Sequence, residues 1–161
     1  MLAEICRDVR FRRPLSLALN RKEINETKYY GLGVAGQLGA SSVLPWFDKE
    51  KQDPYAYTEY DPEKANRLLD AMKLKWDRSN EYRLRSDGKT LSIVVNPLQE
   101  HIAFAEITTL AVEHWKEIGV GTIFKLQPIP YLFERSQTGE LEIVTDYRAR
   151  GAFFYPSDVA G

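Results

Sequence analysis

Cysteine is almost missing from this chain. With Cys6 alone among 161 residues, no internal disulfide forms and no cysteine-cluster metal site can be built. Histidine is as scarce: His101 and His114 are the only two, and they fit neither an HxxxH nor an HExxH pattern that brings two ligands onto one metal. An excess of charge is missing too. The 22 basic and 23 acidic side chains leave a net charge of -1, so no global field draws the chain to nucleic acid or an anionic membrane. No apolar run approaches the roughly 20 residues that cross a bilayer. The opening MLAEICRDVRFRR lacks the basic, apolar, small-residue order of a secretory signal.

Catalytic signatures are absent as well. There is no GxSxG and no Walker lysine loop; GLGVAG (Gly31 to Gly36) spells GxGxxG, but no strand precedes it and no helix follows it directly. Without a nucleophile, a metal set or an acid/base pair, nothing argues for catalysis or for a cofactor.

What is present is a run of helix and strand signals. Asp8 caps a helix through VRFRRPLSLAL, with Phe11, Leu15 and Ala18 on one face. Pro14 predicts a kink or a 3₁₀ adjustment there. Asn20 starts a second helix, RKEINETKYY, with Glu23 placed as in a capping box. Residues 31–59, rich in Gly, Pro and aromatics, predict a long irregular loop, and long loops in compact domains usually serve function. In YDPEKANRLLDAM, Asp61 caps, Pro62 takes the first helical position, Glu63 faces the positive end of the dipole, and Ala65, Leu68, Leu69 and Met72 form an apolar stripe.

YRLRSDGKTLSIVV reads as a hairpin turning at Asp87-Gly88, with Leu91, Ile93 and Val95 buried. Ala103, Ile107, Leu110, Ala111, His114 and Ile118 then recur at helical spacing up to Gly119. VGTIFKLQP predicts a strand, PYLFERSQ a short helix and ELEIVTDY a last strand. This order, over about 90–147, is a βαβαβ core, so the fold class is α/β, a mixed and mostly parallel sheet with flanking helices.

Three clusters invite chemistry, and each has a plainer reading. Arg7, Arg10, Arg12 and Arg13 suit phosphate, yet most lie in a first helical turn, where cations oppose the dipole and call for acidic partners; an ion-pair network is the expectation. Glu140 and Glu142 alternate onto one face of a predicted strand as a solvated edge. The aromatics Trp46, Tyr55, Tyr57, Tyr60, Tyr147, Phe153, Phe154 and Tyr155 either pack the loop down or contact a ligand. TDYRARGAFFYPSD is the more pointed case, because it leaves the C-terminal end of a predicted strand, where open α/β sheets bind ligands.

Taken in order, RDVRFRRPLSLALNRKEI, GLG, LPW, YDPEKANRLLDAM, DGKTLSIVV, WKEIGVGTIFKLQ and YLFERSQTGELEIV resemble the extracytoplasmic solute-binding proteins of ABC importers, in the class that captures oligopeptides, dipeptides, nickel and some sugars. The resemblance implies one lobe of a two-lobed, type II periplasmic-binding fold, with 1–161 a single domain forming part of a C-terminal lobe. It implies a monomer that captures a peptide or similar small solute outside the cytoplasmic membrane for an ABC permease. The location is then periplasmic or extracytoplasmic, membrane-associated where the parent is a lipoprotein, with no metal, cofactor or nucleic acid involved.

A ligand-sensing or protein-docking lobe is the alternative role. The sequence departs from the family pattern at Pro14, where Ala is favoured, and at Asn20, which replaces Asp. Tyr147-Arg148 replaces a Gly-Trp pair, and Gly151 stands where peptide binders carry the acid that pairs with the peptide amine. The expected ligand-binding residues are Trp46, Asp146, Tyr147 and Arg148, with Arg148 suited to an anionic group and Tyr147 to stacking on an apolar part.

Overall fold

The computed structural model describes residues 2–36, 53 and 55–145. Asp8 accepts a hydrogen bond from the Arg10 amide at 2.8 Å and starts α2 (Val9–Leu17). Phe11, Leu15 and Ala18 are buried, as their spacing requires. A helix not foreseen from sequence, α1 (Leu2–Arg7), leads into that cap; with only 6 residues it carries too short a period to read.

At Pro14 no 3₁₀ segment interrupts α2, which runs through it as one α-helix, and the Ala18 amide closes onto the Pro14 carbonyl at 3.0 Å. Pro14 lies among the fully buried side chains, so ring packing offsets the hydrogen bond its nitrogen cannot donate.

Asn20 accepts from the Glu23 amide at 3.2 Å and begins α3 (Arg21–Tyr29). Asp61 accepts from the Lys64 amide at 2.7 Å and begins α4 (Pro62–Ala71), with Pro62 in the first turn. The Asp61 amide in turn donates to the Leu17 carbonyl at 2.9 Å, which ties the start of α4 to the end of α2. Ala65 and Leu69 are fully buried, and Leu68 and Met72 pack half-buried against the core. The described part of 31–59 contains no helix or strand. Tyr57 packs on the core between the Arg13 guanidinium, 4.9 Å from its ring, and the Lys64 ammonium, 5.6 Å away.

The hairpin turns at Asp87-Gly88 as expected. The Arg85 amide donates to the Lys89 carbonyl and the Gly88 amide to the Arg85 carbonyl, a three-residue loop in which Gly88, at φ +79, is the left-handed residue. Its stem carries one isolated antiparallel bridge, Leu84 with Thr90, and a second bridge, Trp76 with Arg83, spans the preceding turn. Beyond it run β1 (Ser92–Pro97), α5 (Ile102–Glu117), β2 (Gly121–Phe124), α6 (Ile129–Gln137) and β3 (Ile143–Thr145).

The sheet order is β2-β1-β3 with both pairings parallel, the βαβαβ arrangement read from the sequence. Ile93 and Val95 join Phe11, Leu15, Leu69, Ala111, Trp115 and Ile118 in one core. On α5 the expected stripe shifts: Ala103 is exposed, while Thr108 and Trp115 are buried. The Trp115 indole N–H reaches the Leu15 carbonyl at 2.9 Å and so locks α5 to α2.

Candidate functional site

All three strands end at one crest, and the segment after β1 laces it together. The Leu98 amide donates to the Thr145 carbonyl at 3.3 Å, Gln127 to Pro97 at 3.1 Å and Gln99 to Gln127 at 2.9 Å. The Glu100 carboxylate accepts the Ile129 amide at 3.0 Å and takes the place of a side-chain cap at the start of α6. Two buried polar groups sit just beneath: Asn96 donates to the Ile143 carbonyl at 3.2 Å, and Thr108 to the Thr145 hydroxyl at 2.8 Å. Among the described residues, the segments after β1 and β2 are thus tied to their neighbours. Such preorganised strand ends are where open α/β sheets hold ligands.

The four expected ligand-binding residues, Trp46, Asp146, Tyr147 and Arg148, lie outside the described residues. By chain order the last three follow Thr145, the crest residue whose carbonyl accepts from Leu98.

The other candidates resolve into architecture. His114 is 6 % exposed; its Nδ1 accepts the Asn20 amide at 3.4 Å and its Nε2 meets Glu23 at 3.1 Å. Those two contacts require the Nε2–H tautomer. The reciprocal bond of a capping box is therefore supplied by histidine across two helices, and Glu23 bonds the Asn20 side-chain amide instead, at 3.1 Å. His101 precedes α5 with its ring edge-on to Phe104, centroids 5.5 Å apart.

Of the arginine cluster, Arg10 pairs with Asp8 at 2.7 Å, the expected structural role. Tyr55 is exposed. The Tyr60 hydroxyl donates to Glu117 at 3.2 Å, and burial together with that carboxylate pushes the phenol up from its ordinary range.

Glu140 pairs with Arg135, but Glu142 departs from the solvated edge expected of it. It precedes β3, and its carboxylate accepts the Val94 amide of β1 at 2.6 Å. Burial, with Glu142 adding to it, pushes the nearby Cys6 thiol up to about 11, which keeps it protonated and inert.

Sequence reasoning missed Arg83. The alternation YRLRSD points its side chain outward opposite Leu84, yet Arg83 is 0 % exposed. Its guanidinium donates to Ile118 O at 2.9 Å, Leu74 O at 2.5 Å, Asp70 at 2.7 Å and Asn66 Oδ1 at 2.8 Å, and it lies 4.7 Å over the Trp76 ring. Only the density of arginines around Leu84 hinted that one needed partners.

Among the described residues no three His, Cys, Asp or Glu gather in a way that holds a metal, and no helix is long and apolar enough to cross a membrane. A parallel α/β layer with flanking helices defines the fold class: one lobe of a periplasmic-binding-type fold. The chain belongs to the bacterial extracellular solute-binding proteins of family 5, whose middle-region model matches residues 2–158.

It is 32 % identical over 118 residues, 70 % of this chain and 18 % of the relative, to the oligopeptide-binding protein OppA of Lactococcus lactis subsp. cremoris. A solved structure of an oligopeptide-binding protein OppA superposes at TM-score 0.79 with 40 % identity, covering 89 % of this chain and 22 % of that one. Lactococcal OppA complexed with an endogenous peptide in the closed conformation superposes at TM-score 0.59 with 26 % identity, covering 81 % and 24 %. The chain therefore spans about a fifth of the length of these relatives.

Proposed function

We propose that this chain is part of the C-terminal lobe of the substrate-binding component of an ABC importer. In that role the protein captures a peptide or similar small solute outside the cytoplasmic membrane and presents it to a membrane permease. Residues 1–161 are one domain of a monomer with periplasmic or other extracytoplasmic location, held at the membrane where the parent carries a lipid anchor. The observation that carries the reading is the braced crest at the C-terminal ends of β1, β2 and β3, supported by the 40 % identity to an oligopeptide-binding protein.

The chemistry is noncovalent. Closure of a second lobe onto the crest buries the ligand and strengthens each polar contact by excluding water. Asp146, Tyr147 and Arg148 follow β3 in the chain; Arg148 suits a carboxylate through its planar fork, and Tyr147 and Trp46 offer aromatic faces to apolar groups.

Thermal unfolding of the longer protein against a panel of peptides, sugars and chelated metals tests the reading. A true ligand at a hundred times its Kd stabilises by about 2.7 kcal/mol; no shift with any member overturns it. In the same protein, Arg148→Ala weakens an anionic ligand by about 1.5–3 kcal/mol, the worth of a charge-assisted hydrogen bond. Unchanged titration affinity removes Arg148 from the site.

A further inference from the structure

The tip of the hairpin carries a chemically weak bond. In an Asp-Gly pair no side chain shields the glycine nitrogen, which can attack the aspartyl side-chain carboxyl. A new C–N bond then closes a five-membered succinimide, and a carboxyl oxygen leaves as water with the proton the nitrogen gives up. Water adds back and opens the ring on the main-chain side, which leaves a β-linked isoaspartate of unchanged mass. Asp87-Gly88 is the one Asp-Gly pair in the chain, and both of its residues are exposed.

Here both reacting groups are occupied, and by the same residue. The Arg85 Nε donates to Asp87 Oδ1 at 3.0 Å and a terminal guanidinium nitrogen donates to Oδ2, a fork that matches a carboxylate. The Lys89 amide adds a third bond to Oδ1 at 3.2 Å. The Gly88 amide, which is the nucleophile of the ring closure, donates to the Arg85 carbonyl at 2.9 Å.

We propose that Asp87-Gly88 is a latent isomerisation site and that Arg85 is the positioning residue that guards it, its guanidinium on the carboxylate and its carbonyl on the Gly88 amide. The neutral acid is the form that loses water readily, and the Arg85 hydrogen bonds hold this carboxyl at about 2 against an ordinary 3.8. The neutral form is then about fiftyfold scarcer near pH 5, which screening at an exposed tip trims to about tenfold. The charged groups that act on Asp87 are Arg85 and Lys89; Glu142, which precedes β3, acts on Arg85 and keeps it charged. An isoaspartate would add a main-chain carbon inside the loop that Arg85 and Lys89 close, and so disturb the stem that leads into β1.

Ageing near pH 5 tests the guard, with isoaspartate counted by isoaspartyl methyltransferase labelling and peptide mapping, and with circular dichroism checking each fold. The folded protein should isomerise at position 87 at least about tenfold more slowly than a free peptide of residues 82–91. Arg85→Ala should recover most of the peptide rate, and Arg85→Lys, which keeps the charge without the fork, should fall between them. Salt at about 1 M, which screens an exposed pair, should speed the wild type and leave Arg85→Ala unchanged.

A wild type as fast as the peptide, or an Arg85→Ala as slow as the wild type, overturns the proposal. An Arg85→Ala that is fast while the wild type ignores salt assigns the effect to a loosened turn and overturns the role of the guanidinium. Should Arg85→Ala fail to fold, the wild type against the peptide and its response to salt decide the matter by the same two criteria.

Discussion

Arg83 shows how one side chain organises several elements. Its guanidinium takes up the carbonyls of Ile118 and Leu74, while its ionic partner Asp70 has a side chain 61 % exposed. The weight of the site is therefore in the buried carbonyls that accept from Arg83, not in the exposed ion pair. Arg83→Ala is expected to cost about 3–5 kcal/mol in urea unfolding, whereas Asp70→Asn costs about 1 kcal/mol or less. Equal losses from the two would mean that the ion pair dominates.

Gly119 is fitted to the same site. It has φ +76, and a Cβ there would lie 2.6 Å from the Trp76 ring, so Gly119→Ala combines left-handed strain with a clash and is expected to cost more than about 1 kcal/mol. A second local test uses pH. The Arg85 guanidinium holds the Asp87 carboxyl at about 2. A lowered carboxyl stabilises above its ordinary range near 4 and loses that contribution as pH falls toward 2. The protection factor of the Lys89 amide, whose hydrogen bond Asp87 accepts at 3.2 Å, should fall within that window and stay flat above it once the intrinsic pH dependence of exchange is divided out.

At the scale of elements, helix starts were the most legible features, because capping is local chemistry. Asp8, Asn20 and Asp61 each cap the helix that follows them, since a short acceptor side chain reaches an unpaired amide two or three residues on, whatever the rest of the fold does. Asp61→Ala is expected to cost about 1 kcal/mol, measured as a shift in melting temperature.

The reading failed where a local rule met tertiary packing. Pro14 predicts a disrupted turn, but its ring is buried inside an unbroken α2. Replacing it by alanine recovers up to about 3 kcal/mol of helix propensity and gives up about 1.6 kcal/mol of buried ring, with unfolded-chain entropy taking up to about 1 more. Pro14→Ala is therefore expected to be neutral to slightly stabilising. A loss above about 1 kcal/mol would show that ring packing outweighs the backbone penalty.

For the whole molecule, sequence order alone specified the parallel βαβαβ core, because two apolar strand signals separated by a helix leave few connections that bury both. The same order carried the family reading, since the matching pieces recur in sequence along nearly the whole chain. Charge balance and a single cysteine were legible for the same kind of reason, since net charge and the exclusion of an internal disulfide depend only on which residues exist.

Tertiary structure alone decided which charges entered the core and how the strand ends were braced. Arg83 is buried because carbonyls of residues 74 and 118, far apart in sequence, converge on it. Glu142 and His114 hold backbone amides 48 and 94 positions away, and the crest exists only because Leu98, Gln127 and Thr145 meet. The physical reason is range: capping, turn chemistry and periodicity are settled within a few residues, whereas satisfaction of a buried polar group depends on partners that only folding assembles.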